Sequence, residues 1–441
     1  MTQDTEPDPT PDGRPDATPE APVPTGLAVL ALAQSGRFAE IRDLFAPPLQ
    51  SLVSAEALQA GWNSGLGPLG ALTSVGTPTS EPAGPGSVVV RIPLTLEQGK
   101  LTLVLSATDG GWLTGLQLAP AEAAEPAAPW KPPAYADPEA FDEQDVTVGH
   151  DSLAVPGTLS LPHGPGRLPA VVLLGGSGPS DRDATIGRNK PFRDLAWGLA
   201  TAGVAVLRFD KVTYVHPQQC AGEPDFTASD EYVPHAVAAV QLLQQHPSVD
   251  PARVFVLGHS LGGTIAPRVA AAEPSVAGLV LLAGGAQPLH WAAVRQIRYL
   301  ASLNPETAAA SESVIEAMSE QARAIDSPDF SASTPTAELP FGVPAPYWLD
   351  LRDYDPAGAA AALGKPMLVL QGGRDYQATV ADDLAVWRAA LADRPDVAFR
   401  VLDADNHFFF PGSGASTPAE YEPVQHMDPA AVAEIAAWLN P

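Results

Sequence analysis

Along this chain the spacing of apolar positions changes twice, and each change marks a different kind of structure. Residues 1–24, beginning "MTQDTEPDPTPDGRPDATPE", are rich in proline and acid and nearly free of apolar side chains. Such a segment buries too little surface to offset its ordering entropy and is expected to be a disordered acidic tail. From Leu27 onward Leu30, Phe38, Ile41, Leu44 and Phe45 recur at helical spacing, and Ser54 suits the N-cap of a further helix carrying Leu58 and Trp62. The stretch "SVVVRIPLTLEQGKLTLVLSATDGGWLTGLQL" then alternates apolar and polar positions, interrupted by the turn signals "EQGK" and "TDGG". Helices followed by an antiparallel meander predict a small α+β domain over residues 25–118. The Pro/Ala-rich segment 119–139 reads as a semi-extended linker.

After the linker, "EQDVTVGHDSLAVPGTLSLP" has the pattern of a hairpin, and the period then changes again. Six short, continuously apolar runs follow: "AVVLL" (170–174), "VAVLRF" (204–209), "RVFVL" (253–257), "GLVLLA" (278–283), "PMLVLQ" (366–371) and "VAFRVL" (397–402). Helical patterns lie between them. Strands without alternation are buried on both faces, and helical crossovers make neighbouring strands parallel. Residues 140–441 are therefore expected to form an α/β domain with a doubly wound, mostly parallel sheet. Residues 286–360 break the rhythm with two amphipathic stretches and the Pro-rich "ELPFGVPAPYWLDLRDYDP". An insertion at that point overhangs the carboxyl ends of the strands, so a helical lid is expected there.

Composition narrows the field. Fifty-one acidic and 24 basic side chains among 441 residues give a formal charge of −27, which opposes nucleic acid or an anionic membrane as partner. The single cysteine, Cys220, can form neither an internal disulfide nor a cysteine metal cluster. The amino terminus has neither a basic segment nor an apolar core of the kind a secretory signal needs, and no run of 18 apolar residues occurs. A cytoplasmic protein is the expectation.

Candidate chemistry centres on "GHSLGG" (258–263), which stands between the run "RVFVL" and the helix-like "TIAPRVAAA". In a chain with 38 glycines a G-x-S-x-G pattern is weak by itself. It gains meaning from its surroundings, because a serine hydroxyl needs a base, an acid that orients the base, and donors for the oxyanion. Ser260 is the candidate nucleophile. Among nine histidines, His407 in "LDADNHFFF" follows the last predicted strand and is the candidate base. His150, His163, His246 and His426 are less well placed, and His259 neighbours the serine but points away. Asp375 in "QGGRDYQ" follows the strand "MLVLQ" and is the candidate acid, with Asp350, Asp353 and Asp355 as rivals in the insertion. The order Ser260, Asp375, His407 is that of the α/β-hydrolases. For the oxyanion, Leu261 directly after the serine offers one backbone N–H. Ser177 in "LLGGSGPSDRD" offers another, with Gly176 as the neighbouring alternative. Asp181, Arg182 and Asp183 either line an entrance or form a turn held by internal ion pairs, the second being preferred. Tyr347 and Trp348 are candidates for the pocket wall, along with Gly176, or for packing under the lid.

The segments "LLGGSGPSDRD", "NKPFRDLAWGLATAGVAVLRFDK", "GHSLGG", "QGGRDYQ" and "NHFF" together resemble a bacterial α/β-hydrolase group, the EstD-type carboxylesterases. The region from "LFAPPLQSLVSAEALQAGW" to "GWLTGLQL" is similar to the cystatin- or NTF2-like domain of unknown function (DUF3887-like) that precedes such enzymes. The resemblance covers most of residues 27–441. Gly175 stands where the group often has histidine in H-G-S-G, and "RFDKVTY" replaces R-Y-D-K-R. The resemblance implies hydrolysis of carboxylic esters, of short acyl chains, through an acyl-enzyme on Ser260 without metal or organic cofactor. It supports Asp375 and His407 in their roles and Ser177 and Leu261 as oxyanion donors. A thioesterase or an acyl-aminoacyl peptidase on the same residues is the alternative. The sheet expected in the amino-terminal domain offers a surface for a homodimer, and support of the lid is the other role expected of that domain.

Overall fold

The computed structural model describes residues 22–50, 53–84, 86–121, 130–303 and 305–440. Most of the expected acidic tail lies outside them. Its last residues are helical, since α1 spans Pro22–Gln34. Proline is at home in a first helical turn, where its missing N–H would have no partner anyway. Three more helices follow, α2 (Phe38–Asp43), α3 (Pro47–Gln50) and α4 (Ala55–Leu66). As the sequence suggests, the Ser54 side chain caps α4 by accepting from the Ala57 amide at 3.0 Å.

The helices pack on an antiparallel sheet of β1 (Leu72–Val75), β2 (Thr79–Gly84), β3 (Ser87–Leu96), β4 (Gly99–Thr108) and β5 (Leu113–Pro120). Along β3, Val90, Ile92, Leu94 and Leu96 are buried while the positions between them are partly exposed. This period of two places one face against Val29, Phe38 and Ile41 of α1 and α2. Of the expected linker, residues 119–120 belong to β5 and 122–129 lie outside the described residues. Its far end is docked rather than free. Trp130 donates to Asp194 Oδ1 at 2.8 Å and meets Trp197 edge to face at 4.9 Å.

The second sheet has eight strands: β6 (Phe141–Val148), β7 (Val155–Pro162), β8 (Leu168–Leu174), β9 (Ala205–Phe209), β10 (Val249–His259), β11 (Leu279–Leu282), β12 (Met367–Gly372) and β13 (Val397–Leu402). Their order is β13-β12-β11-β10-β8-β9-β7-β6. β6 and β7 form the expected hairpin, β7 pairs antiparallel with β9, and the remaining pairs are parallel. The continuous apolar runs are the strands, and β8, β9, β11 and β12 are buried almost throughout; β13, at the sheet edge, is only partly buried, which corrects the expectation for the last run. In chain order the helices of this part are α5 (Pro191–Thr201), α6 (Val212–Val215), α7 (Pro217–Gly222), α8 (Ala228–Gln245), α9 (Leu261–Ala272), α10 (Leu289–Leu303), α11 (Pro305–Asp326), α12 (Ala345–Arg352), α13 (Pro356–Leu363), α14 (Ala385–Ala390) and α15 (Pro429–Leu439). α5 and α15 cover one face of the sheet, and α8, α9, α13 and α14 cover the other.

Between β11 and β12 the chain forms the expected helical insertion from α10 to α12. α13 is not part of the overhang; it lies against α9 as an ordinary crossover helix, so the insertion is shorter than 286–360. Among the described residues no helix is long and apolar enough to cross a membrane.

Charges in two sequence segments lock the exits of β8 and β9 together. Arg182 reaches Asp210 through Nε at 2.9 Å and Nη2 at 3.1 Å, and its backbone N–H donates to the same carboxylate at 2.7 Å. Arg208 bridges Asp183 at 3.0 Å and Glu143 at 2.8 Å, while Asp181 accepts from the Thr185 amide and hydroxyl. "DRD" is thus a turn held by ion pairs, interleaved with "RFDK". The Arg208 side chain is only 3% exposed, and removing it takes a cation from two carboxylates at once, leaving Asp183 with Lys190 and Glu143 with the Ser160 and Trp197 donors. Arg208→Met is expected to lower the unfolding free energy in urea by about 3–5 kcal/mol.

Candidate active site

Strand β10 ends in the elbow that carries Ser260. The serine has φ 55° and ψ −123°, a conformation that side chains rarely adopt and that stores about 1–3 kcal/mol of strain. The turn closes because two neighbours lack side chains. A Cβ on Gly258 would stand 2.1 Å from the Gly262 carbonyl oxygen, and one on Gly262 would stand 2.4 Å from that of Leu174. The Ser260 amide donates to the Leu282 carbonyl at 2.9 Å, tying the elbow to β11. α9 begins at Leu261, whose amide lies in a first helical turn, beyond reach of any carbonyl of that helix.

Asp375 and His407 come from the ends of β12 and β13 and meet directly. His407 Nδ1 is 2.7 Å from Asp375 Oδ2, and both residues are buried. Asp375 is itself held by Gln371 Nε2 at 2.9 Å on Oδ2, and by the amides of Gln377 at 2.7 Å and Ala378 at 3.1 Å on Oδ1. These donors fix the carboxylate toward the imidazole. With Nδ1 donating to Asp375, His407 keeps its lone pair on Nε2. Ser260, Leu261 and His407 line one cavity of about 250 Å³.

His259 has a role that sequence reasoning did not give it. It indeed points away from the serine, toward the next loop, where its Nε2 lies 2.9 Å from the His407 carbonyl oxygen. That contact requires a proton on Nε2. Burial, with the nearby His407 second, lowers its pKa to about 3. Its ring lies tilted against that of Phe408, with centroids 4.8 Å apart.

Gly176 is beside the serine: a Cβ built on it would be 3.1 Å from Ser260 Cβ. Ser177 follows it and is exposed. Gly176, Tyr347 and Trp348 are not among the residues that wall the cavity, which corrects that expectation. Trp348 is fully buried among Ile325, Phe330 and Leu339, and the Tyr347 hydroxyl donates to Glu231 Oε2 at 2.7 Å. α12 turns these side chains inward, and the insertion faces the cavity instead with Leu289, Ala292 and Gln296 of α10 and with Leu351, Arg352 and Tyr354. The rival acids are engaged elsewhere. Asp350 pairs with Arg268 at 2.8 Å, Asp353 with Arg352 at 3.0 Å, and Asp355 caps α13. Asp383, also unforeseen, anchors the start of the insertion by accepting from the Ala286 and Gln287 amides and from Arg295.

The alpha/beta hydrolase family matches residues 171–424, more than half of the chain, and the chain belongs to that family of enzymes. Its sequence is 38% identical over 352 residues to esterase EstD of Thermotoga maritima, a match that takes in 80% of this chain and 79% of the relative. A shorter match, 29% identical over 141 residues, covers 32% of this chain and 35% of 2,6-dihydropseudooxynicotine hydrolase from Paenarthrobacter nicotinovorans. Among solved structures, Est1E of Butyrivibrio proteoclasticus aligns over 67% of this chain and 97% of its own, with a TM-score of 0.42 and 15% identity.

The lowered pKa of His259 sets a direction for stability. An unfolded histidine takes up its proton near the ordinary value of 6.5, the buried one only near 3. Stability from this group is therefore present above pH 6.5 and is lost as pH falls toward 3, at up to ~1.4 kcal/mol per pH unit. His259→Gln is expected to flatten the pH dependence of the urea-unfolding free energy between pH 7 and pH 4 by an amount approaching that slope.

Proposed function

We propose that the protein is a serine carboxylesterase that cleaves short-chain acyl esters through an acyl-enzyme. The observation that carries this is the buried His407–Asp375 hydrogen bond at the cavity where the strained Ser260 sits. The esterase relative over most of the chain supports it. His407 Nε2 takes the Ser260 proton as Oγ attacks the ester carbonyl, and Asp375 stabilises the imidazolium. The developing oxyanion is met by the Leu261 amide, aided by the dipole of α9, and by the Ser177 amide. His407 then returns the proton to the leaving alcohol, and a water repeats the sequence on the acyl-enzyme. A cavity of about 250 Å³ favours small acyl groups.

The insertion serves as the lid, since α10 and α12 supply much of the cavity lining. The amino-terminal domain supports that lid, because α4 packs against α11. That contact favours lid support over the alternative role in a homodimer.

Ser260→Ala is expected to lower kcat on p-nitrophenyl butyrate by about 10⁴-fold or more. Unchanged turnover would sink the assignment. A thioesterase or acyl-aminoacyl peptidase would use the same three residues, so kcat/KM on matched ester, acyl-CoA and aminoacyl-amide substrates decides among them. The charge of −27 disfavours polyanionic CoA, and the ester is expected to be preferred.

A further inference from the structure

A buried ammonium group lies directly behind the loop that passes Ser260. Lys211 follows β9 and its side chain is only 5% exposed. Its Nζ is 2.9 Å from the Gly176 carbonyl oxygen, 2.7 Å from that of Gly178, 2.9 Å from the Tyr232 hydroxyl and 3.0 Å from Glu231 Oε1. Tyr232 also donates its own proton to the Gly176 carbonyl, at 2.5 Å. Glu231, equally buried, accepts further bonds from Thr213 at 2.6 Å and from Tyr347 of the insertion at 2.7 Å. Two donors thus converge on one backbone carbonyl, and neither of them reaches the cavity that holds Ser260 and His407.

The consequence follows from peptide geometry. In a trans peptide the C=O of one residue and the N–H of the next point in opposite directions. With the Gly176 oxygen pulled inward by Lys211 and Tyr232, the Ser177 N–H is turned outward, away from that pair. Gly176 itself abuts Ser260, its Cα carrying no side chain where one would come within 3.1 Å of the serine Cβ. A carbonyl bonded to a cation is also polarised, which strengthens the N–H across the same peptide as a donor. A buried ion pair contributes little to stability by itself, so its value here is orientation.

We propose that Lys211 and Tyr232 are positioning residues for the oxyanion site: they clamp the Gly176–Ser177 peptide so that the Ser177 N–H faces the oxygen developing on the ester carbonyl. Glu231 holds the ammonium in place, and Tyr347 links that carboxylate to the insertion. The clamp rests on the serine-esterase reading given above, because it acts through the donor assigned to Ser177. It also accounts for Tyr347, which faces the clamp instead of the cavity.

The test compares Tyr232→Phe and the double variant Lys211→Met/Glu231→Gln with the wild-type chain, the double change avoiding an unpaired buried carboxylate. Active sites are first counted with a fluorophosphonate probe, so that misfolded protein does not enter the rate. Per labelled site, kcat on p-nitrophenyl butyrate is expected to fall about 10- to 100-fold, below the 100- to 1000-fold typical of deleting an oxyanion donor outright. KM should stay within about twofold, and the affinity for a trifluoromethyl ketone, which forms a tetrahedral adduct with an oxyanion, should fall in parallel with kcat. A merely structural role would lower the melting temperature and the labelled fraction while leaving kcat per site and inhibitor affinity unchanged, and that result overturns the clamp. Ser260→Ala in the same assay separates the two proposals. If it turns over like wild type, the serine reading fails and the clamp falls with it; if it is inert while the clamp variants match wild type, the clamp alone is wrong.

Discussion

The constraint on which the site rests is the approach of the Leu174 and Gly175 carbonyls to Gly262, where a single added carbon would collide at 2.4–2.5 Å. Two backbones touch there with no side chain between them. β8 and β10 run parallel, with Leu174 opposite Gly258, so their exits leave the sheet side by side. Only because Gly262 yields its space can the loop after β8 lie against the elbow after β10. The rest of the site inherits this contact: Gly176 reaches Ser260, the first turn of α9 opens toward the same cavity, and the loops after β12 and β13 bring the His407–Asp375 pair to it.

The loop after β8 is held on its other side by charge. Arg182, Arg208 and Lys211 all fasten it or its neighbour β9, and each is matched by a carboxylate. In a chain with 24 basic side chains against 51 acidic ones, placing three cations in one small volume leaves the local charge close to balanced. Buried pairs of this sort break even at best against apolar packing. Their geometry, however, is directional, and a glycine-rich loop has little else to set its course.

Much of the site could be seen in the sequence because each element announces itself locally. A strand buried on both faces must be a continuous apolar run, and an elbow must have small residues around its serine. An acid and a histidine just beyond later strands necessarily fall at the same edge of a parallel sheet. The reading of "DRD" as a turn held by ion pairs agrees with the structure, but Arg182 and Asp183 find their partners, Asp210 and Arg208, in a segment 25–28 residues away that the sheet brings alongside. Tyr347 and Trp348 went the other way. Aromatic side chains on a short helix face whichever surface the helix rotates toward, and α12 turned them to Glu231 and to the Ile325–Phe330 cluster. A lysine after a strand and a tyrosine in a helix, as Lys211 and Tyr232 are, carry no local sign that both meet one carbonyl.

The sequence by itself determined the order of strands and helices, the glycines of the elbow, and the chain order Ser260, Asp375, His407, all properties of short segments whose periodicity or steric needs can be read residue by residue. Tertiary structure alone decided the rotation of α12, the neutral state of His259 imposed by its burial, and the convergence of Lys211 and Tyr232 on Gly176. Each of those depends on which distant segments share a volume, and residues 35 or more positions apart, as Gly176 and Lys211 are, meet only when the whole sheet has closed.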